Sequence, residues 1–161
     1  MDLLVNLHSR RMADLARRVE GVAATIRVAL PPEMHIVQDW VRRNFNDHWV
    51  SELTVAMAHQ PPGCLVATVD GELVGFACYD ATARGFFGPT GVAESQRGKG
   101  IGAALLYHTL AAMKAHGYAY AVIGGVGPVE FYAKAAGAIP IAAGDGDVYA
   151  GMLRAEPEQG G

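Results

Sequence analysis

Gln96-Arg97-Gly98-Lys99-Gly100-Ile101-Gly102 is the stretch on which the reading of this chain turns. It is followed by Ala103-Ala104-Leu105-Leu106, and Leu105, Leu106, Thr109, Leu110 and Met113 then recur at helical spacing, so a helix is predicted from Gly100. The first N–H groups of a helix have no intrahelical acceptor and stand at the positive end of its dipole. With glycines holding no side chain in the way, such a turn offers its amides to a phosphate or pyrophosphate, and Arg97 and Lys99 add charge at the rim. Two common phosphate loops do not fit. A Walker A loop needs glycine where Ala93 stands and Ser or Thr where Gly100 stands. The dinucleotide fingerprint is met by Gly98, Gly100 and Ala103, but the next strand ends Val122-Ile123-Gly124 with no acid before Glu130.

Working outward from the turn, Arg84 to Ala93 contains Gly85, Gly88, Pro89 and Gly91, which predicts a bulged strand with exposed backbone. Before it, Cys64 to Val69 and Leu73 to Tyr79 read as a hairpin joined through Asp70-Gly71, and Asp80-Ala81-Thr82-Ala83 links the hairpin to the bulged strand. Further upstream, Ile36, Val37, Trp40 and Val41 predict one helix. A second is expected to be capped by Asp47, with Trp49, Leu53, Ala56 and Met57 inward, ending at Pro61-Pro62-Gly63. Ser9 caps a helix with Met12, Leu15, Ala16 and Val19 on one face, closed at Gly21, and Leu3 to Leu7 and Ala24 to Leu30 are predicted strands on either side.

Downstream, Lys114, His116 and Gly117 end the long helix, and Tyr118 to Ile123 reads as a buried strand. Pro128 opens a short helix to Ala136, closed by Gly137. Ile139 to Ile141 and Val148 to Leu153 are expected to pair around Gly144-Asp145-Gly146. The fold class is α/β, with one mixed, mostly antiparallel sheet and flanking helices. The expected organisation is a single domain over 1–154, with 1–24 adding a strand and a helix, and a fraying tail at 155–161.

Composition removes several functions. With 51% hydrophobic and 18% charged residues over 161 positions, the chain has the apolar surface for one core. Thirteen basic against 16 acidic residues give a net charge of -3, without the positive field that nucleic acid or an anionic membrane selects, so neither is an expected partner. No stretch approaches a spanning helix, and Met1-Asp2 opens with an acid where a secretory leader carries a base, so a cytoplasmic protein is expected. Cys64 and Cys78, with no CxxC, point to neither a disulfide scaffold nor a metal.

Arg97-Gly98-Lys99-Gly100-Ile101-Gly102, after a strand ending Gly91-Val92-Ala93, resembles the R/Q-x-x-G-x-G/A segment of the GNAT superfamily of acyl-CoA-dependent N-acyltransferases. Phe131-Tyr132-Ala133-Lys134-Ala135-Ala136-Gly137-Ala138 is similar to the second signature of that family, and the likeness in element order runs from about Thr25 to Leu153. Where many relatives carry Asn, often followed by Ala, ahead of the aromatic pair, this chain has Gly125 and Pro128, and Ala138 replaces an aromatic. The resemblance implies a GNAT-like fold. It also implies acetyl-CoA as cosubstrate, with its pyrophosphate on the amides of Arg97, Gly98, Lys99, Gly100, Ile101 and Gly102 and its pantetheine arm along the bulged strand.

The same resemblance makes Val92 the oxyanion donor through its backbone N–H and Tyr132 the acid for the departing thiolate, the other reading of Tyr132 being a ring packed on the sheet. Acyl transfer to an amine needs no enzyme nucleophile, so the two cysteines are dispensable. Glu52 and Asp80 are the candidate bases, each also readable as a cap or a solvated charge, and Trp49, Tyr79 and Phe87 are candidate acceptor contacts. The expected partners are a small-molecule amine and, for assembly, a second copy of the chain; no metal is expected. The alternatives are a catalytically silent acyl-CoA-binding module and a small flavin- or nucleotide-binding protein.

Overall fold

The residues described by the computed structural model, 1–142 and 144–155, form seven strands and five α-helices. In chain order these are β1 (Leu3–Asn6), α1 (Arg10–Val19), β2 (Thr25–Val28), α2 (Met34–Asn44), α3 (Asp47–Ala58), β3 (Cys64–Val69), β4 (Glu72–Tyr79), β5 (Phe86–Val92), α4 (Ile101–Ala115), β6 (Tyr120–Ile123), α5 (Val129–Ala136) and β7 (Ile139–Pro140). The strands make one sheet in the order β2-β3-β4-β5-β6-β1-β7. Every neighbouring pair is antiparallel except β5 and β6, which run parallel because α4 crosses over between them. No helix among the described residues is long and apolar enough to cross a membrane.

Apolar residues divide into two cores, one on each face of the sheet. On one face α1, α4 and α5 bury Met12, Leu15, Leu105, Leu106, Leu110 and Met113 against strand residues such as Leu3, Val5 and Phe87. On the other, α2 and α3 bury Val37, Trp40, Val41, Leu53 and Met57 against Val66, Phe76 and Cys78. Caps and turns follow local chemistry. The Ser9 side chain accepts from the Arg11 N–H at the start of α1, and Asp70 and Gly71 both adopt positive φ in the β3–β4 hairpin.

Several expectations change. The cap of α3 is Asn46, whose side chain accepts from the Trp49 N–H, so Asp47 is the first helical residue. Ile36 faces solvent, because α2 buries only the flank carrying Val37, Trp40 and Val41. Tyr120 is likewise exposed, leaving β6 buried at alternate positions. Val148 to Leu153 is not a strand: the Asp147 carboxylate accepts from the Tyr149 N–H, and the segment closes into turns. Ile139 and Pro140 pair instead with Leu4 and Leu3. The N-terminal strand is therefore no appendage: β1 sits inside the sheet between β6 and β7. Of the expected tail at 155–161, residues 156–161 lie outside the described residues.

Candidate active site

The site begins where two parallel strands part. Thr90 and Phe87 of β5 stand opposite Ala77 and Tyr79 of β4, so the Gly88-Pro89 pair faces Cys78 alone, which is the predicted bulge. Toward β6, β5 is in register only at Phe86 and Phe87, opposite Val122 and Ile123, and beyond them its far edge is open. The Ala93 N–H donates to Val74 O at 2.8 Å, toward β4, so alternation turns the main chain of Val92 to the open edge. There the Val92 carbonyl accepts from Arg97 Nε at 3.2 Å, and its N–H faces the gap. Gly91 is required for a different reason: a Cβ on it would overlap the Phe45 ring.

The turn after β5 leads into the same gap. Gly100 caps α4 at φ 83°, a left-handed conformation that glycine adopts without penalty, and no side chain caps this helix. The first bond into the helix runs from the Ala104 N–H to Gly100 O at 3.0 Å, leaving the N–H groups of Ile101, Gly102 and Ala103 without acceptors in the helix. A Cβ on Gly102 would meet only Val92 Cγ2 at 3.8 Å, so this helix start lies against the outward-facing part of β5. Lys99 Nζ holds Gln96 Oε1 at 3.1 Å on the rim. Unfilled amides, a dipole and two cations make a seat that fits a pyrophosphate.

A cleft of about 830 Å³ opens between the splayed strands. Trp49 and Glu52 of α3, Phe87 of β5, the Gly124 to Pro128 segment after β6, Tyr132 of α5, and Tyr149 and Arg154 of the C-terminal segment all line it. The Tyr132 ring is buried, edge-on to Phe87 at 6.2 Å, and its hydroxyl makes no hydrogen bond within the described chain. Burial pushes its phenol up to about 12. Glu52 is half-buried and accepts from the Thr82 hydroxyl. The Tyr149 phenol is raised by burial first and by the Glu52 charge second, and a hydrogen bond with Thr82 opposes both. Trp49 packs on Phe45 at 4.8 Å and carries the aromatic layer from the α2–α3 core to the cleft wall.

The structure thus brings Tyr132, Glu52, Trp49 and Phe87 to one cleft, with Val92 and residues 97–102 gathered at the open strand edge and the adjoining turn. Asp80 and Tyr79 lie elsewhere. Both Asp80 carboxylate oxygens accept from the Tyr118 hydroxyl, at 2.8 and 2.9 Å, and Oδ1 also accepts from the Gly85 N–H, so this side chain builds the β4–β5 connection. Tyr79 packs against His116 at the end of α4, on the face away from α3. Sequence reading missed Thr82, Tyr149 and Arg154. Thr82 sits in a link with no periodicity, Tyr149 lies within the Val148 to Leu153 segment whose apolar residues suggested a strand, and Arg154 follows it.

The sequence profile described as the Acetyltransferase (GNAT) family matches residues 31–138, about two thirds of the chain. No curated protein matches the sequence. Among solved structures, the chain is similar to the GCN5-related glucosamine N-acetyltransferase region of a fungal multi-domain β-N-acetylglucosaminidase, with a TM-score of 0.67 at 18% identity over 84% of this chain and 19% of that one. A GCN5-related N-acetyltransferase from Sphaerobacter thermophilus gives 0.61 at 19% identity, over 86% and 47%. A ribosomal-protein-alanine N-acetyltransferase from Brucella melitensis biovar Abortus 2308 gives 0.53 at 21%, over 78% and 96%. These likenesses are of fold, and the chain spans about a fifth of the first protein and about half of the second.

Proposed function

The chain belongs to the GNAT family of acetyltransferases, and we propose that it moves the acetyl group of acetyl-CoA directly to a primary amine of a small molecule. The observation that carries this reading is the open edge of β5. An outward amide at Val92 lies between the α4 helix start on one side and, on the other, a cleft holding Tyr132 and Glu52. When bound, acetyl-CoA supplies a thioester carbonyl carbon to which the amine nitrogen bonds as the C–S bond breaks, nitrogen losing one proton and sulfur gaining one.

Residues of the chain account for each need of that exchange. The amides from Gly98 to Gly102, with Arg97 and Lys99, hold the pyrophosphate. The Val92 N–H stabilises charge that develops on the carbonyl oxygen. Tyr132 carries its proton at neutral pH, as any phenol near 10 would, and burial raises it further to about 12. Against a thiol near 8.5, outright transfer to sulfur is uphill by about 5 kcal/mol, so Tyr132 acts by donating a hydrogen bond as the sulfur becomes negative, and the thiolate takes its proton from water. Glu52 faces the acceptor as base or as counter-charge to its ammonium.

The test follows thiol release from acetyl-CoA with a panel of amines, for the wild type and Gly102→Asp. A carboxylate in the first turn suits the helix dipole, so the variant should fold with an undiminished Tm. It should bind acetyl-CoA about 10- to 100-fold more weakly, because the new charge faces the pyrophosphate. Wild-type affinity in the variant would displace the cofactor seat from this turn. Tight acetyl-CoA binding without thiol release for any amine would favour a silent binding module.

A further inference from the structure

We propose that the acceptor is a zwitterion, an amine that carries its own anionic group as an amino acid does, held between Glu52 and Arg154. This rests on the acetyl-transfer reading above and narrows its acceptor. The cleft walls carry opposite charges that do not neutralise each other. Among the described residues, Glu52 has a hydroxyl partner, Thr82, and no cationic group within 4.0 Å, and Arg154, which lines the same cleft, has no carboxylate within that distance. Glu52 comes from α3 and Arg154 from the C-terminal segment, so two separate elements each bring one charge of opposite sign to the cleft lining.

A ligand that fills this cleft strips water from the half-buried Glu52 and from the side of the exposed Arg154 that it covers, and each then costs free energy unless it meets an opposite charge. A polyamine answers Glu52 and is repelled by Arg154, and an amino sugar leaves Arg154 unpaired. A molecule with an ammonium group and a carboxylate answers both, and the planar guanidinium fork matches a carboxylate through two hydrogen bonds. Trp49, Phe86 and Tyr149 supply apolar wall for the rest of the acceptor. The bond changes are those of acetyl transfer to its amine, and the carboxylate takes no part in them.

The experiment compares acceptors that differ only in the anionic group, an L-amino acid and its carboxamide, with the wild type, Arg154→Gln and Arg154→Lys. The expected result is a kcat/KM about 10- to 100-fold higher for the acid in the wild type, carried by KM. Arg154→Gln should shrink that ratio to within about threefold, and Arg154→Lys should keep part of it. The proposal is overturned if the amide equals the acid in the wild type, if the preference survives in Arg154→Gln, or if that substitution acts by weakening acetyl-CoA binding. Thiol release with polyamines or amino sugars but not with amino acids overturns the zwitterion alone. No release with any amine overturns the acetyl-transfer reading and this inference with it.

Discussion

Two tyrosines and two carboxylates on this molecule make an instructive pair of neighbourhoods. At the β4–β5 corner, Tyr118 donates to Asp80, Asp80 also takes the Gly85 N–H, its own N–H donates to Phe86 O at 3.0 Å, and His59 Nε2 lies 3.0 Å from its carbonyl. At the cleft, the Tyr132 hydroxyl has no partner within the described chain, and the Glu52 side chain bonds to a hydroxyl alone. The same residue types serve opposite ends. A carboxylate whose acceptor sites are filled by its own fold stabilises a turn, whereas one with capacity left over, facing a cleft, can serve a ligand.

The sharpest way to break this contrast is Tyr132→Phe. Among the described residues the hydroxyl bonds to nothing, so Tm should hold while kcat falls about 10- to 100-fold with acetyl-CoA affinity little changed. Equal kcat in the two enzymes would reduce Tyr132 to packing. Its titration adds a second readout. With the folded phenol near 12 against about 10 when unfolded, its contribution to stability is complete below about pH 10 and is lost as the pH rises toward 12. Wild type should therefore lose stability over that window more steeply than Tyr132→Phe, as denaturant melts at each pH would register.

Next in size is Glu52→Gln, with an expected loss of about tenfold in kcat/KM and stability within about 0.5 kcal/mol. A base shows itself as a lower kcat and a flattened acidic limb of the pH profile; a counter-charge shows itself as a raised KM for cationic acceptors. Unchanged steady-state kinetics over about pH 6 to 9 would place Glu52 with Asp80 among the turn-builders.

Smallest in activity, and opposite in kind, is Asp80→Asn. Asn tolerates the positive φ of 55° at this position but weakens two hydrogen bonds to a charged acceptor, so unfolding should cost about 1 to 2 kcal/mol less. The folded variant should keep kcat/KM within about threefold. A large kinetic loss at unchanged Tm would move the base to Asp80 and erase the contrast.

Sequence alone determined the features whose causes lie within a few residues of each other. The Asp70-Gly71 hairpin, the Ser9 cap, the glycine start of α4 with its uncommitted amides, the bulge at Gly88-Pro89 and the helix bearing Tyr132 were all legible, because local dihedral preference and hydrogen-bond supply decide them. Tertiary structure alone decided which strands meet and which side chains are left unsatisfied. β1 could pair between β6 and β7 only once residues near both ends of the chain had come together, and that pairing took the place expected for Val148 to Leu153. The divergence of Asp80 from Glu52 has the same origin: each carboxylate is defined by partners distant in sequence, Tyr118 for one and Thr82 for the other, and a short-range pattern holds no record of them.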